Sequence, residues 1–117
     1  MATTTGAGAV NNQGAFVYTW TGITPGNVGN GVDISAFGGP KASIQVEGTL
    51  GTSPSYSIEG SNDGSNWETL NDINGTALST KSTKGLYSIA GPCRYVRPNL
   101  ASGTGSSLNF TLVVYPD

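Results

Sequence analysis

Histidine is missing from this sequence altogether, and cysteine occurs once, at Cys93. Without histidine there is no Ser-His or Cys-His nucleophile pair, and the commonest general base and metal ligand at neutral pH is gone. A zinc site, which draws on several His or Cys, goes with it. A single cysteine closes no internal disulfide; it fits a reducing compartment and a place as a small buried apolar residue. Charge is scarce too, with five Lys and Arg against seven Asp and Glu and a net charge of −2. A nucleic-acid face needs a basic stripe to neutralise phosphates, so no nucleic-acid partner is expected. No apolar run approaches the ~18 residues of a membrane-spanning helix, so no membrane is expected either. The opening residues carry neither the basic region nor the apolar stretch of a signal peptide, and the expectation is a protein made in the cytoplasm and used or assembled there.

Long uninterrupted segments are also lacking. Eighteen Gly and six Pro punctuate the 117 residues, and no run free of both exceeds ten, the two that reach ten being Ser65–Asn74 and Ser106–Tyr115. Neither shows the 3.6-residue period of a helix, and the second alternates with period two. Short strands between turn clusters are the pattern of a sandwich or barrel. The bulk for one core is present in Trp20, Trp67, five Tyr and three Phe, and the length suits a single domain.

Residues 1–13 are small and polar and read as an extended or loose N-terminal arm; residues 14–117 read as the domain. Phe16, Tyr18 and Trp20 share one face of a first strand. Residues 23–31 read as a loop, 31–35 as a short strand, and Phe37-Gly38-Gly39-Pro40 as a break. In 42–50, Ile44 and Val46 point inward, and Ser43, Gln45 and Glu47 outward. Gly51–Pro54 is expected to turn this strand into a hairpin with the next, where Tyr56, Ile58 and Gly60 share a face. Asn62-Asp63-Gly64 tolerates the positive φ of a tight reversal, after which the chain resumes at Trp67; Tyr56, Ile58 and Trp67 are expected in the core. Residues 76–83 are a weak strand or a loop, 86–89 a short strand, Gly91-Pro92 a turn, 93–100 a strand and 101–107 a flexible turn. Leu108, Phe110, Leu112 and Val114 alternate in a last strand expected at the centre of its sheet. The expectation is an all-β, single-domain antiparallel β-sandwich, jelly-roll-like, of about eight strands.

Chemistry is thin. Glu47 and Glu59 would have to meet to form the paired carboxylates of a glycosidase; the plainer reading is two solvated surface acids. Asn62, Asp63 and Asn66 do not match the spacing of a calcium loop. Residues 42–72 carry five acids and no base, and 73–116 four bases and no acid. These groups either pair across one fold or form complementary patches on neighbouring subunits. Arg94 and Arg97 read as structural, packed on aromatics or paired with those acids. No catalytic set, no cofactor and no metal is expected.

The stretches I-Q-V-E-G-T-L, Y-S-I-E-G-S-N-D-G-S-N-W-E-T-L, G-P-C-R-Y-V-R-P-N-L and G-T-G-S-S-L-N-F-T-L-V-V-Y, within Ala42–Tyr115, resemble small β-sandwich virion proteins of tailed bacteriophages. Those serve as capsid decoration (cement) proteins or as domains of head and tail appendages. The S-N-D-G-S-N-W turn and R-Y-V-R strand are also similar to discoidin-type carbohydrate-binding sandwiches. The resemblance implies a non-enzymatic structural part, made in the bacterial host cytoplasm and added to the virion. Its partner would be the major capsid protein or another virion protein, and it would form a homo-oligomer, a trimer by analogy. On this reading the arm grips the partner through Thr3, Thr4, Thr5, Val10, Asn11, Asn12 and Gln13. The alternative implied is a carbohydrate-binding or adhesion module of a phage appendage, with Tyr56, Trp67, Tyr87 and Tyr95 as sugar-contact aromatics.

Overall fold

The computed structural model describes residues 3–10, 15–35, 41–90 and 93–115. Eleven strands run over these residues: β1 (Thr3–Thr4), β2 (Ala7–Val10), β3 (Phe16–Ile23), β4 (Asn27–Gly29), β5 (Val32–Asp33), β6 (Lys41–Thr49), β7 (Thr52–Ser61), β8 (Glu68–Thr69), β9 (Gly85–Ile89), β10 (Tyr95–Thr104) and β11 (Ser107–Tyr115). They form two packed sheets. The first has the order β1-β4-β10-β7-β8, with β5 also on β10; the second has the order β2-β3-β11-β6-β9. All pairs are antiparallel except β1 with β4. The all-β sandwich expected from the alternation is the fold observed.

Alternation assigns the faces correctly. Ile44 and Val46 of β6, Tyr56 and Ile58 of β7, and Leu108, Phe110, Leu112 and Val114 of β11 are all fully buried. β11 lies between β3 and β6, at the centre of the second sheet. Its Phe110 meets Tyr56 of the opposite sheet edge-on at 5.5 Å between ring centres, a favourable aromatic geometry.

The expected hairpin of β6 with β7 does not form. β6 pairs with β11 and β9, and β7 pairs with β10 and β8, in opposite sheets. The chain crosses between the sheets at Leu50–Gly51, and it crosses back at Gly105–Ser106 between β10 and β11. Gly51 has φ +68°, and a Cβ there would collide with the backbone of 104–106. The Ser106 hydroxyl donates to the Leu50 carbonyl at 2.7 Å. The two crossings thus lie against each other, as jelly-roll arches. Period-two patterning marks which face of a strand is buried but is silent on which sheet takes it.

The described part of the arm is not loose. β1 pairs with β4 in the first sheet and β2 with β3 in the second, so the segment edges both sheets. Gly8 lies against Phe16 and Tyr18, where a Cβ would stand 2.6 Å from each ring. Asn30 ties the segment down. Its Oδ1 accepts from the Gly6 N–H at 2.9 Å and from Trp20 Nε1 at 3.0 Å, and its Nδ2 donates to the Tyr18 hydroxyl at 2.8 Å. Small residues read as disorder in the sequence; here they let the backbone approach aromatic rings. Asn11, Asn12 and Gln13 lie outside the described residues, as do the Phe37-Gly38-Gly39-Pro40 break and the Gly91-Pro92 turn.

Smaller differences have similar causes. Residues 23–31 contain β4 rather than only loop. Residues 76–83 form isolated bridges, Tyr56 with Lys81 and Asn71 with Ala77, yet they bury Leu78 completely. β10 continues through Thr104 into what reads as a flexible turn.

Replacing Asn30 by Ala leaves the Gly6 N–H and the Tyr18 hydroxyl short of a partner, an expected loss of about 2 kcal/mol measured as a drop in the urea midpoint. Deleting residues 2–13 is expected to lower the midpoint further and expose Trp20 to quenchers. A deletion variant as stable as the full chain would show that the segment is dispensable after all.

Candidate functional site on the outer face of the first sheet

β10 and β7 are paired directly, Tyr95 with Ser61, Arg97 with Glu59 and Asn99 with Ser57. Because Val96, Leu100, Tyr56 and Ile58 are buried in the core, these partners project to the outer face. Arg97 Nε donates to Glu59 Oε1 at 2.8 Å, with side chains only 21% and 15% exposed. At that depth the pair is better shielded than an exposed surface pair worth 0–1 kcal/mol. Asn99 Nδ2 donates to the second carboxylate oxygen at 3.3 Å, while Asn99 Oδ1 is buried without a partner among the described residues.

Trp67 closes over this array. The Arg97 guanidinium lies 4.2 Å from its ring centre, a cation–π contact as well as a lid. Gly31 makes the seat, since a Cβ there would stand 2.6 Å from Cη2 of the indole. Trp67 is therefore half-buried on the outer face, not in the core as the periodicity predicts. The β7–β8 loop throws it across the sheet instead of returning it inward. That loop is held by Asp63. Its Oδ1 accepts from the Ser65 and Asn66 N–H groups, both at 2.8 Å, and from the Ser61 hydroxyl at 3.0 Å; its Oδ2 accepts from Asn66 Nδ2 at 2.8 Å. The Asn66 bonds first, then those from Ser65 and Ser61, hold the Asp63 carboxyl well below its usual 3.8. Asn62 Oδ1 accepts from the Arg94 N–H at 3.0 Å. Asn62 and Asp63 thus accept hydrogen bonds within the fold while Asn66 donates to Asp63, and no cluster of metal-binding side chains occurs among the described residues.

Tyr95 stands 6.4 Å from Trp67, ring centre to ring centre, tilted by 57°. Arg94 lies 5.0 Å from the Tyr95 ring and bonds to Asp33 Oδ2 at 3.3 Å. Asp33 Oδ1 accepts from the Ser35 hydroxyl at 2.6 Å and the Ser35 N–H at 2.9 Å. Those two bonds, followed by Arg94, lower the Asp33 carboxyl.

The four aromatics singled out from the sequence therefore separate. Trp67 and Tyr95 come together. Tyr56 has no exposed surface and cannot stack on a sugar; its hydroxyl donates to the Thr83 carbonyl at 2.6 Å. Burial first, then the neighbouring Tyr87 hydroxyl at 3.1 Å, raises the Tyr56 phenol far above its ordinary value. Tyr87 is half-buried on the second sheet, beneath Lys81 at 5.6 Å. Among the arm residues, Thr3 and Thr4 form β1, Thr5 is exposed between β1 and β2, and Val10 pairs with Phe16. Cys93 is half-buried against the core, which raises its thiol.

Glu47 and Glu59 do not meet. One projects from the second sheet and the other from the first, on opposite outer faces. Glu47 lies 3.8 Å from Lys84. The acidic and basic halves of the sequence thus pair within one chain at Glu47–Lys84 and Glu59–Arg97, as the plainer reading expects. Sequence reasoning missed Asp33, Gly31 and Asn99 as parts of this face. Only cross-strand register brings them to it.

No protein-family model matches the chain, and no curated relative matches it. Among solved structures it is similar to the K1 cleaved adhesin domain of Lys-gingipain from Porphyromonas gingivalis W83, at 10% identity and a TM-score of 0.42, over 97% of this chain and 85% of that one.

Two measurements test the face. Arg97→Ala removes the partner of a half-buried carboxylate and the support of Trp67, with an expected loss of about 2 kcal/mol and a red shift of tryptophan emission. Asp63 contributes stability in full above its ordinary value of 3.8, and that contribution fades as pH falls through the lowered folded value. Asp63→Asn is accordingly less stable than the parent at neutral pH, by a margin that shrinks below pH 3.8; a margin independent of pH would contradict this.

Proposed function

We propose that this chain is a non-enzymatic structural protein of a bacteriophage virion that binds and stabilises the assembled capsid as a decoration protein. The observation that carries the non-enzymatic reading is where the charged groups are used. Asp33, Glu47 and Glu59 are paired with Arg94, Lys84 and Arg97. Asp63 and Asp72 accept backbone N–H groups within their own turns. Carboxylates held this way serve the fold, and a general acid or base needs to reach a substrate instead.

The resemblance of Ala42–Tyr115 to phage sandwich proteins supports the virion assignment. The second sheet adds a surface suited to flat contact. Two of its outer rows run Ala7-Thr19-Thr111-Gln45-Leu86 across five strands and Val17-Val113-Ser43-Ser88 across four, with no charged residue in either. Central rows without charge to desolvate, bounded by Lys41 and the Glu47–Lys84 pair, suit a protein shell, and a protein that binds only the assembled shell stabilises it by mass action. β1 and β2, the described part of the arm, end the strand orders of the two sheets, so each presents an edge to which a partner strand can add.

The second reading, an adhesion module of a phage head or tail appendage, is favoured by the juxtaposition of Trp67 and Tyr95. Co-sedimentation of the purified protein with phage capsids, run beside a glycan array, separates the two. The decoration reading expects saturable capsid occupancy whatever the array shows, with Val113→Arg on the outer face of the second sheet abolishing that occupancy. Specific glycan binding without capsid binding would overturn it.

A further inference from the structure

We propose that the outward face of Trp67, with Tyr95 and the Arg94–Asp33 pair at its edge, is a binding shelf for a neutral pyranose sugar. The inference deepens the adhesion reading and rests on it. Three features carry it.

The first is orientation. Arg97, on strand β10, lies over one face of the indole, 4.2 Å from the ring centre. The Cη2 edge of the same ring abuts Gly31, 2.6 Å from where a Cβ would stand, which leaves the opposite face of the indole as the stacking face. The seat is specific, because any side chain at 31 would displace the ring. An aromatic face of this kind stacks on the apolar C–H face of a pyranose, and Trp combines an apolar body with a polar edge.

The second is preorganisation. Trp67 is fixed by Arg97, which Glu59 holds, and by the loop that Asp63 braces. Tyr95 packs against Gly64 of that loop, and Asp33 is oriented by Ser35. A weak ligand loses little to ordering these groups.

The third is the chemistry of the rim. Arg94 and Asp33 form a 3.3 Å pair that is half-exposed on both sides. A guanidinium fork beside a carboxylate offers donors and acceptors together, as two adjacent sugar hydroxyls require. Glu68 follows Trp67 in the chain and Asp63 sits in the loop before it, negative charges that oppose an acidic sugar.

The test is an NMR titration of the ¹⁵N-labelled full chain with methyl glycosides of glucose, galactose, mannose and N-acetylglucosamine, together with a glycan array carrying neutral and sialylated glycans. The expected result is saturable shifts confined to residues 31–33, 62–68 and 94–97 and to the Trp67 indole N–H, with the buried Trp20 signal unmoved. Trp67→Ala is expected to weaken binding at least tenfold, and Asp33→Asn severalfold, with backbone spectra otherwise retained. Should Trp67→Ala not fold, the shift map on the parent protein decides alone. Glycan binding that Trp67→Ala leaves intact overturns the shelf but leaves the adhesion reading standing. Binding of sialylated glycans only overturns the neutral class. Silence toward every glycan overturns both the shelf and the adhesion reading.

Discussion

The fold depends on two chain crossings stacked at one end of the sandwich. At Leu50–Gly51 the chain leaves the second sheet for the first, and at Gly105–Ser106 it returns. The hydroxyl of buried Ser106 joins them through the Leu50 carbonyl. Because β6 and β7 leave one crossing, and β10 and β11 meet at the other, their mutual position fixes two registers at once. β6 pairs with β11 from Ser107–Thr49 to Tyr115–Lys41, and β7 with β10 from Thr104–Thr52 to Tyr95–Ser61. A slip of one residue in either would turn a whole apolar row to solvent. The contact between Tyr56 and Phe110 requires both registers to be right, since the rings come from opposite sheets.

This explains what the sequence makes legible. Ile44, Val46, Ile58, Phe110 and Leu112 can be placed inside from alternation alone, because burial on one face of a strand leaves a period of two. Strand partners leave no such trace. The turn residues at 51–54 fit a hairpin as well as an arch, and the crossing is decided by contacts with 104–106, about fifty residues away. Trp67 fails for a related reason. Its spacing from Ile58 continues an inward pattern only if the loop between them is regular, and Asp63 makes that loop irregular. Leu78 was hidden in a segment with no period, yet it fills the core as completely as any strand residue. The arm misleads because glycine reads as flexibility, while Gly8 supplies clearance for Phe16 and Tyr18.

The uneven distribution of charge along the chain has a plain physical outcome. Acids at 42–72 and bases at 73–116 become cross-strand partners when β7 lies beside β10 and β6 beside β9. Glu59 and Arg97 are direct neighbours in the register, where opposite charges are favourable. Their pairing leaves the first sheet with an ordered polar face, while the central outer rows of the second carry Thr, Ser, Gln and Val between Lys41 at one end and the Glu47–Lys84 pair at the other. The two outer surfaces thus differ in kind: one is studded with oriented hydrogen-bonding groups, the other uncharged along its central rows.

That asymmetry bears on how a domain of this size acts. A single aromatic shelf with one charged pair at its rim supports only weak contact, because so few groups engage. A face with uncharged central rows supports attachment that tolerates small misfits but defines direction poorly. Repetition changes both. Copies held on a common particle bind a second site at the effective concentration set by their spacing, so avidity rises by orders of magnitude without any new contact. A domain attached to a shell through the flat face of its second sheet would turn the first sheet, and Trp67 with it, toward the surroundings. The decoration and adhesion readings then describe opposite faces of one molecule, and a rigid sandwich is what keeps those faces pointing apart.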